Sequence, residues 1–553
     1  MRVAQVERSH SSADIIACTA AFLGVALLVG CAGAGASSVP GAQPQSHAAK
    51  SAQVTFTMHW NSATTASSAR PKFISPSALS VSVNVNGGTP AYLNAPATTL
   101  AIIAPVGNDT FVFQTYDETN GQGNVLGRAS VTEIIVDGAA NVVSAVINGV
   151  TASLTIALGS PTTAAGTAAT MPINVSALDA DGNVIVGPGY YASPISLAID
   201  DAANSGTLSL STTSLPGPIA VGAKGGTPTL HYNGGTLVSA SVVASTAGVP
   251  NASATITPTP TFYQFSIPTA NSFPGFITAG PDGNMWFTDS GANSVSRITS
   301  SGVVTAFTVP TVEAELQGII SASDGRLWFA EYMSDKIGAM TTAGAFVEYS
   351  VSADSPELLL DRGDGTIWAG GDGGNELDVM QMCCGTYSTV PIPTANSGPF
   401  GIAAAPDNNI YFTEYFTSKV GRVSNVGSAV SEIYLTPGSY PTQMVLGPDG
   451  NLWFPESETN KIARLSTTSF SVTGEFSTLT PNATPIGIVV GGDGALWFTE
   501  STADKIGRIT TGGLVTEYTS PLKGLGIFGI AVAPNGSLWF TERNVSKIGE
   551  LIY

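Results

Sequence analysis

The chain runs to 553 residues with a formal charge of −19. No basic patch interrupts that acidity, and phosphate backbones require clustered Lys and Arg, so nucleic acid is excluded as a partner. Only 11% of residues are charged while 62 are glycine, which fits an all-β chain long enough for three domains rather than a helical one.

In chain order, Arg2 and Arg8 precede an apolar run from Ile15 to Val29 that is short for a membrane span. It ends at Leu28-Val29-Gly30-Cys31, which resembles the lipobox of bacterial lipoproteins. That resemblance implies a signal peptide over 1–30 and lipidation of Cys31, with the lipid bilayer as a partner and an extracytoplasmic, lipid-anchored place in the cell envelope. An ordinary cleaved signal or a signal anchor is the competing reading. Residues 31–53, rich in Ala, Gly, Ser and Pro, read as a flexible tether.

Alternating segments at Val54–Met58, Leu79–Val83, Thr110–Phe113 and Val131–Ile134 predict a first β-sandwich over 54–158. Segments at Ile173–Leu178, Ile195–Ile199, Leu208–Leu210 and Val238–Val243 predict a second over 159–258. With its turn Asp179-Ala180-Asp181-Gly182-Asn183, this stretch resembles bacterial immunoglobulin-like modules, which implies a spacer or stalk. Alternate carboxylates also begin calcium loops, but no Glu follows where an EF-hand needs one, so a hairpin turn is expected. His59 and His231 are single and far apart, and read as structural or surface residues.

From residue 262 onward one unit recurs with a period of 40 to 44 residues. Its turns are Asp282-Gly283, Asp324-Gly325, Asp364-Gly365, Asp407-Asn408, Asp449-Gly450, Asp493-Gly494 and Asn535-Gly536. Four residues after each turn begins stands Trp286, Trp328, Trp368, Tyr411, Trp453, Trp497 or Trp539. Two-residue turns with both positions at positive φ are expected here. About four short strands per unit make a β-propeller blade. The last copy ends at Ser546–Leu551 without an outer strand, and Phe262–Pro268 reads like the outer strands Val347–Tyr349 and Val515–Tyr518. The expected fold is therefore all-β: a seven-bladed propeller over 262–553, closed by the strand 262–268 and preceded by two β-sandwich modules.

Segments such as Gly447–Phe454, Ala495–Glu500 and Asp504–Thr510 resemble the blades of the virginiamycin B lyase family, and the likeness covers every repeat. It implies opening of streptogramin B-like cyclic depsipeptides by elimination across an ester C–O bond. A His general base and Mg²⁺ held by carboxylates would carry that reaction. The family's base lies fourteen residues before the strand-end position, where this chain has Gly275, Gln317, Glu357, Phe400, Thr442, Ile486 and Phe528. No histidine occurs anywhere in 262–553. Gln317 stands where the family has its His, flanked by Glu315 and followed by Glu331, and an amide cannot take a proton. Asp289, Glu315, Glu331 and Glu357 are the candidate ligands for Mg²⁺ or another divalent cation, converging at the channel mouth.

The strand-end carboxylates Glu331, Glu414, Glu456, Glu500 and Glu542 are each followed five residues on by Lys336, Lys419, Lys461, Lys505 or Lys547. Asp289 is followed by Ser294, and the third repeat has Gly371 and Glu376. That joint presence and absence predicts hairpin-spanning Glu–Lys ion pairs. Cys383-Cys384 takes the place of an outer turn, with a vicinal disulfide, a reduced pair or an intermolecular link all open. The functional expectation is a membrane-anchored propeller that binds a small-molecule, peptide or glycan ligand or a partner protein. The alternative is a metal-dependent C–O lyase with a non-histidine base.

Overall fold

The computed structural model describes residues 50–553 except 59, 61–74, 76, 146, 186–190, 192, 218–226, 352–354, 372, 374 and 425–428. The signal segment 1–30, Cys31 and most of the tether lie outside the described residues, as does His59. The tether is shorter than expected, because the first strand already begins at Ser51 and runs to Thr57.

Strand Ser51–Thr57 pairs with Thr99–Pro105 and Asn141–Val142, and a five-stranded sheet faces it. Val54 and Phe56 from the first sheet meet Val83, Phe111 and Phe113 from the second in one core. Phe56 packs edge-on against both other phenylalanine rings. The boundary to the next module falls earlier than the sequence suggested. Ser153–Leu158 falls within the span 54–158 expected for the first sandwich, yet it pairs antiparallel with Ile173–Leu178 of the second. Alternation shows that a segment is a strand but not which sheet it joins. The second module packs two four-stranded sheets around Ile173, Leu197, Leu230 and Val242. Its Asp179 turn is a local hydrogen-bonded device: Oδ1 accepts from the backbone N–H of Asp181 and Asn183, and Oδ2 accepts from the Ser75 hydroxyl.

Seven four-stranded sheets follow, and the last combines Ile527–Val532, Leu538–Glu542 and Lys547–Ile552 with Thr261–Ser266. Phe262 lies opposite Leu551 and Phe265 opposite Ile548 in that closing pair. The innermost strands contact one another in sequence all the way round, and Ile527–Val532 returns to Pro274–Ala279. Trp286, Trp328, Trp453, Trp497 and Trp539 are fully buried because each sheet is covered on both faces by its neighbours.

Two local rules explain the repeated residues. The Asp-Gly turns differ from the expected two-residue form: Gly283, Gly325, Gly365, Gly450, Gly494 and Gly536 have positive φ, but the residues before them do not. Gly283 N–H bonds Gly280 and Gly280 N–H bonds Asn284, the pattern of a wider loop closed by a left-handed glycine bulge. The turn Asp is then free to accept the Trp indole N–H, at 2.9 Å for Asp282–Trp286 and 3.0 Å for Asp493–Trp497. Where Thr366 or Ser537 intervenes, the hydroxyl takes the indole and donates to Asp364 or Asn535 instead. The Thr of Trp-Phe-Thr-Glu fastens neighbouring blades: Thr288 bonds the Gln317 carbonyl at 2.7 Å, Thr499 that of Phe528 at 2.8 Å, and Thr541 that of Gly275 at 2.7 Å.

Candidate functional site

The channel mouth is built from three residues per blade that the repeat places side by side. Immediately before the inner strands stand Glu315, Ser355, Gly398, Thr484 and Gly526, and in the fifth blade Tyr440 precedes the bridge residue Pro441; all six have positive φ. Such a conformation costs free energy for any residue but glycine. Five of the six rim carbonyls accept the backbone N–H of the residue that follows a strand-end acid: Tyr332 onto Glu315, Tyr415 onto Gly398, Ser457 onto Tyr440, Ser501 onto Thr484 and Arg543 onto Gly526. Inside them lie the seven positions that align with the family's base.

Aromatic rings form the floor and one wall. Phe276 is buried at the centre, its ring 5.0 Å from Phe528 and 6.3 Å from Phe400. Phe400 continues to Tyr415 at 5.8 Å, and Tyr415 to Tyr440 at 5.0 Å and Phe416 at 5.3 Å. Opposite stands Arg543, with its guanidinium carbon 3.1 Å from the Phe528 centroid and 5.0 Å from that of Phe273. Its Nε donates to the Pro274 carbonyl at 3.3 Å. Burial pulls its pKa down to about 10, while the charges of Glu357 and Glu315 act in the opposite direction, so it stays cationic at neutral pH. A cleft of about 360 Å³ opens beside it, lined by Ile486, Ser501, Thr502, Phe528 and Asn544.

The four carboxylates expected to share a cation are distributed among three places. Asp289 is buried and turned to its own loop, accepting from the Ser272 hydroxyl at 2.6 Å, Phe273 N–H at 2.8 Å and Ala292 N–H at 3.2 Å. Glu331 is buried within its blade, accepting from Ser334 at 3.1 Å. Glu315 and Glu357 act on Arg543. Among the described residues no group of three or more His, Cys, Asp or Glu side chains is placed to hold a metal ion. These residues do not fit Mg²⁺, and no step is derived through it. Gln317 sits half-buried on the inner strand Leu316–Ser321.

The expected Glu–Lys pairs are corrected by the structure. The ladder does set Glu500 opposite Lys505 and Glu331 opposite Lys336, yet the ammonium groups go elsewhere. Lys336 pairs with Glu348 at 3.1 Å, Lys419 with Glu432 at 2.8 Å, Lys461 with Glu475 at 2.5 Å and Lys505 with Glu517 at 2.7 Å, all on outer strands. Those outer acids are held ionised by further donors: Glu348 and Glu517 each take a backbone N–H and a hydroxyl from Thr311 or Thr480. The strand-end acids are fully buried, where a charge is costly. Desolvation, with the outer acid's charge added in the first case, raises Glu331 to about 7; Glu414 and Glu456 rise to about 7 and Glu500 to about 8 for the same leading cause. The seventh blade has Gln264 where the second, fourth, fifth and sixth carry the outer acid, and its amide donates to both oxygens of Glu542 at 2.8 and 2.7 Å.

Sequence reasoning named Glu315 but missed Arg543 and the other rim residues. The usable signal was the residue after each strand-end acid, which varies among Ser290, Tyr332, Tyr415, Ser457, Ser501 and Arg543 while its neighbours repeat.

A propeller with a lined channel mouth defines the class, and the sequence defines the family. The virginiamycin B lyase family matches residues 245–384 and 352–553, so the chain belongs to it. A streptogramin B lyase structure is 34% identical, with a TM-score of 0.50 over 53% of this chain and 97% of its own. Virginiamycin B lyase from Staphylococcus aureus is 32% identical, with a TM-score of 0.50 over 53% of this chain and 100% of its own. The same values hold for its catalytically inactive His-to-Ala variant with quinupristin. No curated protein sequence matches the chain.

Proposed function

We propose that the propeller is a ligand-binding module whose mouth grips a molecule with aromatic surface and carbonyl acceptors. The observation that carries this reading is Arg543, stacked on Phe528 and facing an open cleft, in a propeller with no histidine to act as the family's base. The guanidinium supplies a planar, charge-assisted donor for carbonyl oxygens, and the Phe400–Tyr415–Tyr440 wall supplies apolar area. The S. aureus relative, solved with quinupristin, makes that streptogramin the first probe. Titration of the full chain with quinupristin in EDTA should give binding that weakens about tenfold in Arg543→Met, equivalent to about 1.4 kcal/mol. Unchanged affinity in the variant counts against the clamp.

A lyase with another base is the second reading, favoured by 34% identity across nearly the whole of a streptogramin B lyase. Incubation with a streptogramin B and Mg²⁺, followed by mass detection, separates the two. A shifted product of unchanged mass means elimination, and activity appearing only in Gln317→His means a lyase scaffold lacking its base. We also propose that lipid on Cys31 holds the module to a membrane. Labelled palmitate incorporated by the native chain and lost in Cys31→Ser would support that placement.

A further inference from the structure

The geometry points to Cys383 and Cys384 as a thiol–disulfide exchange site, at which the pair reduces a disulfide-bearing oxidant and closes into a reversible disulfide between chain neighbours. The pair sits in the turn between strands Glu376–Gln381 and Tyr387–Pro391 of the third blade. Both thiols are free and exposed, and their Sγ atoms stand 2.8 Å apart. An S–S bond is about 2.0 Å long, so closing it needs a movement of about 0.8 Å rather than a rearrangement of the turn.

The turn is held on both sides of the pair. Gln381 N–H bonds Thr386 at 2.8 Å, Gly385 N–H bonds Gln381 at 2.9 Å and Met382 N–H bonds Gly365 at 3.0 Å. Arg326 donates to the Met382 carbonyl at 3.0 Å from the preceding blade. Gly385 has φ +68, and a Cβ there would lie 2.2 Å from the Tyr349 ring, so glycine alone lets the turn rest on that side chain. Tyr349 in turn stacks on Trp328 at 5.7 Å. The dithiol of blade three is thus anchored to the aromatic stack of blade two while its sulfurs face solvent.

The two sulfurs are not equivalent. The Thr386 hydroxyl lies 3.5 Å from Cys384 Sγ, and the Cys383 thiol is the other polar neighbour of that sulfur. Those contacts lower the Cys384 pKa, led by Cys383, and the same bond raises that of Cys383. Cys384 is therefore the attacking thiolate and Cys383 the resolving thiol. With glutathione disulfide, Cys384 forms a mixed disulfide and expels one glutathione thiolate, which takes up the proton Cys384 released. Cys383 then attacks the Cys384 sulfur, forms the Cys383–Cys384 bond and releases a second glutathione. Two protein thiols are oxidised and one glutathione disulfide becomes two glutathiones. Neighbouring Cα atoms are about 3.8 Å apart, shorter than the usual disulfide span of about 4.4–6.8 Å, so excess thiol reverses the reaction readily.

The test uses the full chain treated with glutathione disulfide, quenched with acid and digested with trypsin. The peptide from Gly363 to Lys419 contains both cysteines and no other tryptic site. It should lose the mass of two hydrogens, carry no glutathione, and regain the lost mass on reduction. Cys383→Ser should keep one glutathione on Cys384, and Cys384→Ser should acquire its adduct at least about fivefold more slowly. Stable glutathione on the native peptide, a disulfide-linked dimer through this peptide, or equal rates in the two variants would overturn the assignment.

Discussion

Glu500 is fully buried with no donor to either carboxylate oxygen, because the position that supplies Ser334, Thr417 and Thr459 to its counterparts is Ala503 here. Burial, with the Glu517 charge beside it, raises its pKa to about 8. The folded state therefore holds a proton that the unfolded state releases above about pH 4.5. Its stabilising effect is complete below that value and is lost as pH rises through about 8. Glu500→Gln keeps the neutral shape without titrating. The variant should match the native protein near pH 5 and exceed its stability by about 4 kcal/mol at pH 9, read by denaturant unfolding at both values. Equal stability at pH 9 would mean that the carboxyl ionises without penalty. Gln317 makes the complementary point for function: its identity and lack of a basic nitrogen are visible in the sequence alone.

At the scale of the blade, the repeating cluster is a buried acid, an outer-strand acid and a lysine, with a threonine from the adjoining loop. Lys419 is the most enclosed lysine among the described residues, its side chain 8% exposed and bonded to Glu432 and Thr394, whereas the Lys461–Glu475 pair is 28% and 27% exposed. Removing an enclosed partner strands a charge, and removing an exposed one changes little. Lys419→Met should cost about 3 kcal/mol and Lys461→Met under about 1 kcal/mol in thermal or urea unfolding. Comparable losses would contradict this gradient. The joint appearance of Glu and Lys in the repeats was legible, but its partner assignment was not. The register sets Glu414 opposite Lys419, and only the burial of one acid and the extra donors on the other decide where the ammonium goes. The outer acids were nevertheless visible as Glu348 and Glu517 in the strands that matched Gln264.

Across the whole molecule these acids act in one direction. Glu331, Glu414, Glu456 and Glu500 have folded pKa values raised to about 7 or 8, and Glu542 is raised as well by burial. Each favours the folded state fully below about pH 4.5 and loses that contribution as pH climbs to about 8. Glu348, Glu432 and Glu517 have lowered values from their hydrogen bonds to Thr and Lys, so their contribution is present above about pH 4.5 and lost as pH falls below it. The two windows meet near pH 5. The melting temperature should peak there and fall by several degrees by pH 8, and a melting temperature that rises from pH 5 to pH 8 would refute the account.

The sequence by itself determined the strand-rich repeat, the turn glycines, the buried Trp positions, the pairing of 261–266 with the final strand, and the absence of a histidine base. These depend on local φ preferences and on a period that every copy repeats. Only the tertiary structure decided which sheet Ser153–Leu158 joins, which acid each lysine meets, that Asp289 and Glu331 bond within their own blades, and that Arg543 stacks on Phe528. Those outcomes depend on burial and on contacts between residues as far apart as Pro274 and Arg543, and chain order carries no measure of either.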